Sequence, residues 1–95
     1  MVEQGDIIKI EGVGLPALVV SKNLYNESGH VIACPIVSGP VSGTFAYPLP
    51  ESGFVLYDNL RQFDLETRGY TVTGKVPLAD LIRITDNVQS LFDYY

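Results

Sequence analysis

Tryptophan is absent, cysteine and histidine occur once each, and only six Lys and Arg residues stand against eleven Asp and Glu, for a net charge of −5. Each shortage excludes something. A lone cysteine, Cys34, forms no internal disulfide, which fits a reducing cytoplasm. One His and one Cys do not assemble a protein-only zinc site, so neither metal nor other cofactor is expected. A chain this poor in cations does not coat nucleic acid without specificity, although an acidic average allows a local basic groove. No apolar run approaches the roughly 18 residues needed to span a membrane, and no basic, hydrophobic leader for secretion is recognised.

What is present is a foldable core. Ninety-five residues, 46% of them hydrophobic and 18% charged, predict a single domain over residues 1–95 rather than a disordered chain. The apolar runs are short, rich in Val, Ile, Tyr and Phe, and broken by Gly, Pro, Asn and Ser, which is a β pattern. Strands are expected near Asp6–Ile10, Ala17–Leu24, Val31–Val37, Thr44–Pro48, Gly53–Tyr57, Leu60–Leu65 and Thr71–Val76. Asn26-Glu27-Ser28-Gly29 reads as a hairpin turn pairing the Leu18–Leu24 and Val31–Ile36 regions. Near the end of the chain the period changes. Leu78, Leu81, Ile82, Val88, Leu91 and Phe92 recur at helical intervals, a stripe expected to pack on the sheet. Pro77 suits an early helical position, and Thr85 or Asp86 offers a cap for a second helical start.

Several segments in series resemble one family. Gly5-Asp6-Ile7-Ile8 leads a first strand; Pro16-Ala17-Leu18-Val19-Val20-Ser21 follows a short loop; Pro35-Ile36-Val37-Ser38 ends a third. Asp58-Asn59-Leu60-Arg61 runs toward Arg68-Gly69, and Gly74-Lys75-Val76 with Leu81 closes the order. Together they resemble the MazF/PemK-type toxins, the mRNA interferases of type II toxin–antitoxin systems. The resemblance implies a mainly β fold with a C-terminal helix (α+β), a small SH3-like barrel of the CcdB/MazF/PemK type. It also implies a cytoplasmic, metal-independent endoribonuclease that inhibits growth, with a cognate antitoxin peptide, single-stranded RNA and a second copy as partners.

In that family an Arg before the Pro-Ala run and a Thr in Pro-x-Thr serve the reaction, in which the RNA 2′-hydroxyl attacks the adjacent phosphate. An Arg suits the extra negative charge of the phosphorane, and a hydroxyl suits its non-bridging oxygen. The matching positions here are Leu15 and Val37, which carry neither charge nor donor. Ser38 is a candidate substitute, but neighbouring strand residues face opposite sides. The usual long loop between the first two strands is also shortened to Glu11–Leu15. Weakened or altered cleavage is therefore expected, with a non-catalytic binding protein as the alternative: a gyrase-poison-like toxin, or a decayed one that binds its antitoxin and operator complex.

Candidates for an RNA or antitoxin groove are Ser21, Lys22, Ser38, Arg61 and Arg68. Lys22 and Arg61 read equally as solvated charges, and Arg68 as a partner of Glu66 or Asp64. Ser42 and Thr44 share the Gly/Pro/Ser-rich loop with Ser38, where ordinary turn chemistry competes with ligand contact. His30 reads as an exposed hairpin residue away from the groove, Cys34 as a small buried hydrophobe. Asp58 and Asp64 are available to hold arginines, and Leu91-Phe92 with Asp93-Tyr94-Tyr95 reads as a frayed tail or a partner surface.

Overall fold

A computed structural model describes residues 1–41 and 43–92; Ser42 and the Asp93-Tyr94-Tyr95 tail lie outside the described residues. The strands are β1 (Asp6–Ile10), β2 (Ala17–Val19), β3 (His30–Val37), β4 (Ala46–Leu49), β5 (Gly53–Leu56), β6 (Arg61–Asp64) and β7 (Tyr70–Lys75), with helices α1 (Asn23–Asn26) and α2 (Leu78–Ser90). They join in the order β4-β5-β3-β2-β1-β7, with β6 also on β3. Every pairing is antiparallel. The mainly β architecture with a C-terminal helix is thus as the sequence implies.

β3 organises the molecule because its side chains alternate between two apolar clusters. Cys34 and Ile36 join Leu18, Val20, Val55 and Ile84 on the face that α2 covers. Val31 and Ala33 join Ile8, Ile10, Ala17 and Val19 on the other. α2 seats Ile84 fully inside the first cluster, flanked by the half-buried Leu81 and Val88. A hydrogen bond from the Tyr47 hydroxyl to Asp80 Oδ1 (2.7 Å) ties the start of α2 to β4.

Three expectations are corrected. Strand β2 stops at Val19, short of the expected Leu24, and residues 23–26 form a helical turn; the Asn26–Gly29 turn and the pairing of the Leu18 region with β3, Leu18 opposite Cys34, are as expected. The cause of the early stop is a buried polar latch. The Ser21 hydroxyl donates to Asn26 Oδ1 and accepts the Ile32 amide, while Asn26 Nδ2 donates to the Ser21 carbonyl. Asn26, the first residue of the turn, is therefore also a buried residue of the connection. Second, α2 runs unbroken. Thr85 caps nothing; its hydroxyl donates back to the Leu81 and Ile82 carbonyls, as mid-helix threonines do. Pro77 stands one position before the helix, its carbonyl accepting the Leu81 amide. Third, Leu78, Ile82 and Phe92 are exposed, because the stripe that meets the sheet runs through Leu81, Ile84 and Val88.

One glycine is dictated by close approach. Gly53 has φ +110°, and a Cβ there would lie 2.3 Å from the Val37 carbonyl oxygen. Only glycine lets β5 begin against the end of β3.

Candidate functional site

A groove of about 690 Å³ opens on the sheet face away from α2. One wall is the short loop Gly12–Pro16; the floor is Ala17, Ala33, Pro35 and Phe63; the other wall carries Asn59, Arg61, Asp64, Thr67 and Arg68. Register explains the grouping. Ala17 pairs with Pro35 and Val19 with Ala33 across β2–β3, and Arg61 pairs with Ala33 and Phe63 with Val31 across β3–β6, so these side chains share one face. The floor is the open end of the second apolar cluster.

Leu15 is 44% exposed at the groove wall. Just inside it, the Pro16 carbonyl accepts the Ile36 amide at 2.8 Å, one step beyond the Ala17–Pro35 pair. Continued one residue further, this register brings Leu15 level with Val37 at the end of β3. Val37 is half-buried and pairs with Phe54. Ser38 is exposed beyond the strand and is not among the lining residues.

The other sequence candidates divide. Arg61 and Arg68 line the groove, both exposed, and neither forms an ion pair among the described residues. The expected pairing of Arg68 with Glu66 or Asp64 is not found. Asp64 Oδ1 instead accepts the Glu66 amide (2.9 Å), and Oδ2 lies 3.9 Å from His30 Nε2. Ser21 is committed to the latch described above. Lys22 is exposed next to it, past the end of β2 far from Leu15 along the strand, and does not line the groove. Thr44 is exposed outside the lining, where its carbonyl accepts the Tyr57 hydroxyl.

Asn59, Gln62, Phe63 and Thr67 also line the groove. Asn59 had a signal, its place within Asp58-Asn59-Leu60-Arg61; Thr67 had none beyond its neighbour Arg68. Among the lining residues Arg61 and Arg68 are the cations, while the Asp64 side chain, next to Phe63 on β6 and opposite His30, turns to the other face of the strand pair. Among the described residues no group of three or more His, Cys, Asp or Glu is placed to hold a metal ion. Cys34, on the opposite face, is fully buried. Burial pushes its thiol up to about 12, and the negative charge of Asp58 adds to the shift. It is a core side chain and no nucleophile.

The groove thus joins an apolar floor to two guanidinium groups that form no ion pair among the described residues. Residues 4–92 match the model of the PemK-like, MazF-like toxins of type II toxin–antitoxin systems, and the chain belongs to that family. It is similar to a chain of the crystallised MazE–MazF complex of Deinococcus radiodurans: 30% identical with TM-score 0.84 over 95% of this chain and 94% of that one in one crystal form. In a second form the values are 29% and 0.85, over 99% and 97%. A mycobacterial endoribonuclease solved with its cognate antitoxin shares the fold at 20% identity, TM-score 0.82, over the full length of both chains. No curated protein matches the chain.

Proposed function

We propose that residues 1–95 act as a single toxin domain whose groove takes single-stranded RNA and, in the inhibited state, a segment of a cognate antitoxin. RNA cleavage by this chain is weak, because the groove binds phosphate without the groups that stabilise its transition state. The observation that carries this is the contrast at and beside one groove. Arg61 and Arg68 line it without an ion pair among the described residues, while the family position before the Pro-Ala run, on its wall, holds Leu15 and that in Pro-x-Thr, just outside its lining, holds Val37. Guanidinium forks bind phosphate oxygens well. An absent preorganised donor costs a factor of about 10² to 10³ in rate. The antitoxin is the partner by likeness to the MazE–MazF chain, and a homodimer completes the assembly.

The test is induced expression with mapping of RNA 5′ ends, together with the purified chain and its Leu15→Arg/Val37→Thr variant. Little cleavage by the wild type, and new 5′-hydroxyl ends produced by the variant, is the expected result. Efficient cleavage by the wild type overturns the weakening. Growth arrest without new ends supports a binding toxin instead.

A further inference from the structure

Phe63 is the one aromatic side chain among the residues lining the groove. It is half-buried, packed against the second apolar cluster with Val31 opposite it across β3–β6, and its remaining surface reaches the groove. Its neighbours in the floor are small. Ala33, diagonal to it on β3, and Ala17, one strand further, carry no side chain long enough to cover the ring. The alternate residues of β6 turn to the other face and are engaged there. Gln62 Nε2 donates to the Tyr25 hydroxyl at 2.6 Å, and Asp64 faces His30. Arg61 shares the face of Phe63, two residues along the strand, a Cα spacing of roughly 6.6 Å. That is about the span from the phosphate of a nucleotide to the middle of its base.

We propose that Phe63 is the platform on which the groove stacks one nucleobase, while Arg61 holds the phosphate beside it; the inference rests on the groove's taking single-stranded RNA, as proposed above. A partly exposed aromatic ring in an apolar floor gains little from a phosphate or a ribose. It gains contact area and favourable ring geometry from the flat face of a base. Every base has such a face, so stacking selects a nucleotide over a bare phosphodiester without choosing its sequence. The strand is then held at two points of one nucleotide, its charge on Arg61 and its base on Phe63. An aliphatic side chain at position 63 would close the same floor and supply only the first of these.

The test is fluorescence anisotropy with two labelled oligomers of equal length and charge. One is a 2′-O-methyl oligouridylate, which carries no nucleophilic 2′-hydroxyl and whose bases stack little on one another; the other has the same backbone without bases. The wild type binds the base-bearing oligomer about 5- to 20-fold more tightly than the abasic one. Phe63→Leu keeps an apolar side chain against the second cluster, and denaturant unfolding checks that it folds. This variant binds the base-bearing oligomer no better than the abasic one and keeps the wild-type affinity for the latter. Equal affinity of the wild type for both oligomers, a comparison that needs no variant, overturns the inference and leaves the phosphate-binding groove standing. A preference for bases that survives Phe63→Leu overturns the assignment to Phe63. Binding of neither oligomer overturns the inference and the groove reading together.

Discussion

Cys34 and Pro35 are adjacent on β3 and obey different rules. Cys34 points to the α2 side, where Leu18, Val55 and Ile84 are as fully buried as it is. Pro35 lies in the floor of the groove, beside a wall whose Leu15 is nearly half exposed. The helix-covered face is constrained by packing, since any lost methylene leaves a void there. On the groove face packing constrains the buried floor, Ala17 and Ala33, while the rim at Leu15 is open to solvent. A family can therefore change its chemistry on one side of a strand while leaving the other untouched, which is how Leu15 and Val37 coexist with an intact fold.

The largest test of this contrast is Ile84→Ala, which should cost about 2–5 kcal/mol in denaturant unfolding. A loss below about 1 kcal/mol would show that α2 does not hold the core it covers. Next comes alkaline pH. The folded Cys34 thiol titrates at about 12, above the unfolded value, so its contribution is whole below about pH 9. Stability then falls by roughly 1.4 kcal/mol per unit as pH rises toward 12. Unfolding of wild type and Cys34→Ala compared from pH 8 to 11 should show the steeper decline only in the wild type. On the other face, Arg61→Ala and Arg68→Ala should each weaken oligonucleotide binding several-fold and lower the salt slope by about one, with unfolding unchanged. Smallest of all, Leu15→Ala should move stability by no more than about 0.5 kcal/mol. A cost comparable to that of Ile84→Ala would erase the distinction between the faces.

The helix-covered face was largely legible in the sequence, because short Val- and Ile-rich runs and a helical period each carry a period of their own. The limits are instructive. Ile84 was not in the stripe read from the sequence, although it is the side chain that α2 buries completely, whereas Leu78 and Ile82 were in the stripe and are exposed. Apolarity marks a helix face only to within one residue when the pattern is broad. The apolar run Ala17–Leu24 reads as one strand, but β2 ends at Val19 because Ser21 turns its hydroxyl to Asn26 and the Ile32 amide, hydrogen bonds that no run of residue types announces. Arg61 and Arg68, named from the sequence, both line the groove. The absence of a pair between Arg68 and Asp64 among the described residues is not legible, since the hold of the Glu66 amide and the position of His30 appear only when β3 and β6 pair.

Gly53 places its absent side chain against the carbonyl of Val37, not against the valine methyls. The address of position 37 is thus written in main-chain atoms, and its occupant is free to vary. A threonine introduced there inherits a fixed anchorage, held by the neighbouring main chain whatever the side chain.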